Sequence, residues 1–402
     1  MTKFNNYSRS KPLSWLIASL LVALVAGCGS GGDGAASGTL GVSLTDTPAC
    51  GFDAVYVTVT KVRVHQSASA SDTAAGWTDI TLNPARKIDL LSLNNGVLDN
   101  LGETPLAAGH YTQLRLVLDP NTAGVGLANS VVPTGGKEIT LVTPSAVQSG
   151  IKLVNQFDVA SGQRVDLVLD FNACKSVVLR GKGTSNVTYA LKPVIKVIPF
   201  VLNGIHGFVD KGLLVSNVMV TAQQNGVVVQ TTAPNMTTGE FFLARVTPGN
   251  YDVVLTADGY ATAIIAAVPV ATTTSVVNVS VSGTPITLPS SATHIVSGTA
   301  TLSPTSSTES AYMTAKQTVP PDITVESQAA DLLSGAYSLT LPIGVPQLGP
   351  YSTLPIVFSA AQSGVAGTYT IEASATGYTT QSFIENISTA DATQNFTLTL
   401  AP

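Results

Sequence analysis

The stretch Val55-Tyr56-Val57-Thr58-Val59-Thr60-Lys61-Val62-Arg63-Val64 decides the fold class. Successive side chains of an extended strand point to opposite faces, so Val55, Val57 and Val59 share one face and Tyr56, Thr58 and Thr60 the other. The apolar parity then changes to Val62 and Val64, and a parity change within one run predicts a β-bulge near Thr60-Lys61. The same period of two returns at Leu114, Leu116 and Leu118, and at Leu167, Leu169 and Phe171 opposite Asp166 and Asp170. Turn residues separate the runs: Asn94-Asn95-Gly96, Pro133-Thr134-Gly135-Gly136, Asn203-Gly204 and Asn225-Gly226. Only the segment around Ile88–Leu101 reads as a helix or loop. The fold class is all-β.

Composition agrees with that reading. At 402 residues the chain has room for about three domains. Hydrophobic residues make up 45% and charged residues 11%, against about 25% charged in an average protein. Ser, Thr, Asn and Gly must therefore cover much of the surface. Residues 38–200 hold 13 Lys and Arg against 12 Asp and Glu, residues 201–290 hold 2 against 4, and residues 291–402 hold Lys316 alone against 7. Phosphate backbones require clustered cations, so no nucleic acid is expected as a partner. The acidic last third reads as a solubilising surface. Coiled coils and polytopic membrane proteins are excluded by the same composition.

The N-terminus carries an address. Lys3, Arg9 and Lys11 precede the apolar run Leu13–Ala26, which is short of the roughly 20 residues of a membrane span and suits a signal peptide. Val25-Ala26-Gly27-Cys28 then resembles the bacterial lipobox. That resemblance implies a signal peptide over residues 1–27 and a diacylglycerol and palmitate on Cys28, the membrane being a partner through this lipid. Residues 28–38 would form the acylated tether, with roughly 18 Å of reach. Gly29 beside the Cys, where Asp would favour retention in the inner membrane, implies an outer-membrane lipoprotein of the cell envelope, periplasmic or surface-exposed. Cys50 and Cys174 remain, and two thiols in an oxidising compartment form one expected disulfide. Its enclosed loop would stabilise the fold by roughly 4–5 kcal/mol, and two separately buried thiols are the alternative.

Residues 39–200 contain Ser43-Leu44-Thr45-Asp46-Thr47-Pro48, Ile88-Asp89-Leu90-Leu91, Ala108-Gly109-His110-Tyr111, Leu169-Asp170-Phe171-Asn172-Ala173-Cys174 and Leu191-Lys192-Pro193-Val194-Ile195. Together these resemble the DUF4382 family of bacterial lipoproteins, which implies a β-sandwich and no established activity. Residues 203–285 resemble a carboxypeptidase-regulatory-like β-sandwich through Thr238-Gly239-Glu240-Phe241-Phe242-Leu243, Val246-Thr247-Pro248-Gly249-Asn250-Tyr251 and Ala257-Asp258-Gly259-Tyr260. Pro248-Gly249 is expected to make a hairpin turn, Tyr251, Val253, Leu255 and Ala257 to enter the core, and Tyr260 to close the sandwich edge. Residues 291–402 repeat the unit: Ser334-Gly335-Ala336-Tyr337-Ser338-Leu339, then Gly367-Thr368-Tyr369 and Ala375-Thr376-Gly377-Tyr378. About twenty residues near Pro342–Val365 separate the two half-motifs and read as a disordered spacer rather than a functional loop. The expectation is three β-sandwich modules in tandem.

Reactive constellations are scarce. His65, His110, His206 and His294 lie outside any zinc-ligand spacing, and His65 and His110 read as satisfied surface residues. No metal, cofactor or catalytic residue is expected, and there is no nucleophile elbow or phosphate loop. Asp158, Asp166 and Asp170, and Asp46 with Asp53, are the candidate acid–base or calcium pairs, but alternation places Asp166 and Asp170 on an outward, solvated face. A sugar platform would have to use Trp77, Tyr312 or Tyr351. The function expected is a lipid-anchored envelope protein with a structural or interaction role and no catalysis, its partner an envelope protein or a glycan. A carbohydrate-binding surface lipoprotein is the alternative.

Overall fold

The computed structural model describes residues 37–402 except 48–50, 123, 125, 144–148, 154, 182–187, 307, 308, 321 and 362. Cys28, Cys50 and residues 1–36, which were expected to hold a signal peptide and most of a tether, lie outside the described residues.

The strand Phe52–His65 is long because its apolar alternation is nearly unbroken, and Val55, Val57, Val59, Val62 and Val64 are all buried. Its register against both Thr78–Asp89 and Gln113–Leu118 shifts between Val59 and Lys61, so the bulge falls where the parity change placed it. Around it lies an eight-stranded sheet. A second sheet of four strands runs Ile195–Pro199, Arg164–Asn172, Ser37–Thr47, Asp99–Ala107. Its central pair is parallel and its outer pairs are antiparallel. Leu40, Val42 and Leu44 from one sheet meet the valines of the other in a single core. The segment expected as helix or loop divides into the end of the strand Thr78–Asp89, a 3-10 turn Leu90–Leu93 and the start of the strand Asp99–Ala107. Asp89 caps the turn, its Oδ1 accepting from the Leu91 amide at 3.2 Å.

The middle unit is two sheets packed face to face. One is Glu240–Ala244, Gly204–Phe208, Val276–Asn278. The other starts with Val227–Thr232, Met219–Gln224, Gly249–Thr256 and Ala263–Val270. Pro248-Gly249 is therefore no hairpin turn: it joins Glu240–Ala244 in the first sheet to Gly249–Thr256 in the second, crossing the core between them. Tyr251, Val253 and Leu255 enter that core and Ala257 packs against it. The last unit has the same build, with Thr293–Ser303 and Ala336–Pro342 in one sheet and Asp322–Ala329, Tyr312–Thr318, Thr368–Ser374 and Gln381–Asn386 in the other.

The internal repeat extends to individual hydrogen bonds. The Gly239 amide donates to the Asn235 carbonyl and the Gly335 amide to that of Asp331, both at 2.8 Å. The Tyr260 and Tyr378 amides donate to Ala257 and Ala375, both at 3.1 Å. Tyr260 then bridges to Ser290 and Tyr378 to Leu400, which closes the edge of each unit in the same way.

The segment read as a disordered spacer is ordered structure. Gln347–Pro350 pairs in parallel with Ala263–Val270 of the middle unit, and Ser359–Ala360 pairs with Gln347–Pro350 in turn. Tyr351, Ile356 and Phe358 pack against the middle core. The last unit thus lends two strands to its neighbour's sheet, giving six strands in all. Low side-chain hydrophobicity conceals such a strand, because its pairing uses backbone groups that every residue carries.

Gly239 and Gly335 occupy equivalent turns at φ +76° and +68°. A Cβ there would stand 2.3 Å from the Val209 carbonyl oxygen and 2.6 Å from that of Ala300. Gly239→Ala and Gly335→Ala should each lower stability by about 2 kcal/mol, the sum of left-handed strain and backbone clash. Urea unfolding checks this, and a loss below about 0.5 kcal/mol at either position would contradict the equivalence.

Candidate functional site

Strand register builds the site. In the sheet formed by Glu240–Ala244, Gly204–Phe208 and Val276–Asn278, His206 pairs with Phe242 on one side and with Asn278 on the other. Alternation sends Ile205, Phe241 and Leu243 into the core and leaves His206, Phe242, Glu240 and Asn278 on the outer face. His206 Nε2 lies 2.8 Å from Glu240 Oε1 and Nδ1 lies 3.0 Å from Asn278 Oδ1. Phe208 meets the imidazole edge-on at 5.2 Å and Phe242 at 6.4 Å. The turn Asn94-Asn95-Gly96 of the first unit roofs one end. Gly96 packs so closely that a Cβ would stand 3.2 Å from the Phe242 ring. The result is an open-sided groove of about 440 Å³ lined by Asn95, His206, Asn235, Glu240, Phe242 and Val276. Its partners lie 34 and 72 residues from His206, so no local pattern in the sequence could reveal it.

The residues singled out from sequence are dispersed. His110 pairs with Asp158 at 2.8 Å on the surface. His65 sits at its strand end, Nε2 2.9 Å from the Ala75 carbonyl. His294 is bonded to the Ile387 carbonyl. Asp166 is held by Arg164, which also binds Glu103 at 2.6 Å. Asp53 accepts from the Gly135 amide at 3.0 Å and Asp46 from the Ala173 amide at 3.1 Å. Asp170 overturns its expectation: it is buried at 6% exposure, not on a solvated face. The middle unit covers it and brings the Arg245 guanidinium into its field. Cys174 lies in the short helix Ala173–Ser176. Among the described residues no group of three or more His, Cys, Asp and Glu could hold a metal ion, and no helix is long and apolar enough to cross a membrane.

The three aromatic residues that a sugar platform would have had to use are occupied. The Arg63 and Arg115 guanidinium groups both lie 4.7 Å from the centre of the Trp77 ring, and its Nε1 donates to the Ser71 carbonyl at 2.8 Å. Arg115 is itself 1% exposed, with Gln113, Ala70 and Ser149 satisfying its head. It alternates with the core residues Leu114 and Leu116 along the strand Gln113–Leu118, and the loop over 66–77, through the Ala70 carbonyl, covers it. Tyr312 lies under Lys175 Nζ at 4.6 Å and donates to Ser327 Oγ at 2.9 Å. Tyr351 packs on the middle core.

Polar contacts also join the units. Asn95 Oδ1 accepts from Thr232 Oγ1 at 2.7 Å and from the Phe242 amide at 3.2 Å, and Arg245 donates to the Gly96 carbonyl at 2.7 Å. Gln223 donates to the Thr324 carbonyl at 2.7 Å and accepts from the Thr324 amide at 2.8 Å, closing a two-point lock in the core of the middle–last seam. The last unit returns to the first through the Lys192–Glu309 ion pair and through the Leu332 amide to the Leu179 carbonyl at 3.0 Å.

With this geometry in place, comparison adds one family match. Residues 37–193 match the family described as a domain of unknown function, DUF4382. That span is the first unit up to the strand Thr188–Leu191. No curated protein matches the chain. Among solved structures, the Bacillus anthracis TIE protein aligns at 12% identity over 91% of this chain and 51% of its own, with a TM-score of 0.18. This chain therefore spans about half the length of that protein. The Corynebacterium diphtheriae major pilin SpaA aligns at 10% identity over 90% of this chain and 99% of its own, with a TM-score of 0.20. The Bacillus cereus major pilin subunit BcpA aligns at 11% identity over 91% and 100%, with a TM-score of 0.17. Overlaps this low carry no argument, and the all-β sandwich fold stands on this chain's own strands.

Two outcomes follow from the seams. Gln223→Leu strands both the amide and the carbonyl of Thr324, so stability should drop by about 2–4 kcal/mol, measurable as a shift in urea midpoint. Glu326, on the strand Asp322–Ala329 that faces the other two units, has its carboxyl raised from 4.5 to about 7 by burial. The folded chain then keeps this proton longer than the unfolded chain does, so the group's contribution weakens as pH rises from about 4.5 to about 7. Glu326→Gln should flatten that decline and, above pH 7, raise stability by about 2 kcal/mol. Equal slopes of stability against pH in the two proteins would refute it.

Proposed function

We propose that this chain is a lipid-anchored protein of the cell envelope with a structural or interaction role and no catalysis. The observation that carries the reading is the closed circuit of contacts: first unit to middle, middle to last, and last back to first. A linear array of three units needs two seams and can flex at each. A third seam removes that freedom and holds the surface loops in one arrangement, as a scaffold requires. Such seams are costly to leave half-made, because each carries buried backbone groups that need partners.

The anchor is Cys28, with residues 1–27 as the cleaved signal peptide and Gly29 favouring the outer membrane. The middle and last units are carboxypeptidase-regulatory-like sandwiches, a reading supported by their matched turns and by Tyr260 and Tyr378 at equivalent edges. Cys50 and Cys174 form the disulfide. In its support, the parallel register sets Thr47 beside Asn172, three and two residues before the two cysteines.

Labelled palmitate should enter the wild-type chain and not Cys28→Ala, and unchanged label in the variant would remove the anchor. Iodoacetamide applied to the urea-unfolded chain without reductant should leave Cys50 and Cys174 unmodified, while their separate alkylation would remove the disulfide. Scanning calorimetry should give one unfolding transition for the interlocked units, and three separable transitions would defeat the scaffold.

A further inference from the structure

The groove above His206 has a chemistry that the scaffold role does not use. Two asparagine side chains line it, and the structure settles how each is turned. Asn95 Oδ1 is held by the Phe242 amide and Thr232 Oγ1. Asn235 Oδ1 is held by the amides of Thr237 and Thr238 at 2.9 and 3.0 Å. An oxygen that accepts from a backbone N–H cannot exchange places with the NH₂ group, so both Nδ2 atoms are fixed as donors. Among the described residues neither Nδ2 has a hydrogen-bond partner. Glu240 spends Oε1 on His206, and its Oε2 has no partner among the described residues. The residues lining the groove therefore carry two amide donors of fixed identity and one carboxylate oxygen, all without a partner among the described residues, beside the half-buried Phe242 ring and the exposed Val276.

That inventory selects a ligand. An anion would meet the Glu240 carboxylate, and a metal cation would find no cluster of ligating groups among the described residues. An apolar ligand would strand both amides. A neutral ring bearing several hydroxyls fits, since each hydroxyl both donates and accepts and the ring's C–H face can lie on Phe242. At about 440 Å³ the groove falls within the range of about 300–1,000 Å³ typical of small-molecule sites. The geometry points to this groove as a sugar-binding site, formed jointly by the Asn94-Asn95-Gly96 turn of the first unit and the outer face of the Gly204–Phe208 sheet. The site is distinct from Trp77, Tyr312 and Tyr351, and it does not rest on the scaffold reading.

An open-sided groove with few donors implies weak affinity, with Kd about 1 mM. The test is amide chemical-shift mapping on the full chain with glucose, galactose, mannose, N-acetylglucosamine and cellobiose, each titrated to about 50 mM. At least one sugar should shift residues 235–242 and 276–278. Val276→Arg fills the groove from an exposed position, and Asn235→Asp keeps the turn's acceptor while removing the amide donor. Both should weaken binding about tenfold or more. The proposal is overturned if none of the sugars moves those residues, or if both variants bind as the wild type does. One calorimetric transition with no sugar binding would leave the scaffold and remove the site. Three transitions with binding would do the reverse.

Discussion

Backbone pairing between Gln347–Pro350 and Ala263–Val270 is the constraint on which the rest of the arrangement depends. It places a segment of the last unit in the sheet of the middle one, with four residue pairs in parallel register. Once that strand is seated, Val254 and Ile264 on the outer face of the middle sheet are sealed into the core of the last unit. Both faces of Gly249–Thr256 and Ala263–Val270 are then buried, one in each core. A strand buried on both faces cannot slip register without exposing one apolar set, which makes the seam specific as well as stable.

From this seam the circuit closes. With the last unit fixed to the middle, the strand Asp322–Ala329 comes against both the short helix Ala173–Ser176 and the strand Val227–Thr232. Charged groups are drawn into the junction and bear its cost: burial raises the Glu326 carboxyl and lowers the Lys175 ammonium. Lys175 lies over the Tyr312 ring, an arrangement that recovers part of the lost hydration. At the seam of the first and middle units Asp170 is buried, and Arg245 beside it takes a left-handed backbone at φ 58°. A non-glycine residue holds that conformation only when its surroundings enforce it.

The groove over His206 is a by-product of the same assembly. The middle unit supplies His206, Glu240, Asn235 and Phe242, and the first unit supplies Asn95, whose side-chain amide is oriented because Thr232 Oγ1 and the Phe242 amide donate to its Oδ1. Neither unit alone presents the pair of fixed donors. Function on this reading lies at a seam between sandwiches, where polar groups left over from the packing of one unit face those of another.

Period-two alternation and turn chemistry are properties of neighbouring residues, so they were open to inspection along the chain. They identified the strands, the bulge beside Lys61, the core set Tyr251, Val253 and Leu255, and the repeat that ends in Tyr260 and Tyr378. Alternation names two faces without saying what covers either one. Asp170 reads as outward and is buried beneath another unit, and Arg115, on the face opposite Leu114 and Leu116, is buried beneath a loop. The strand Gln347–Pro350 and the pairing of His206 with Glu240 and Asn278 depend on register between segments far apart in sequence. Long-range register is set by the backbone groups and faces that remain once the local strands have formed, and only the assembled molecule specifies it.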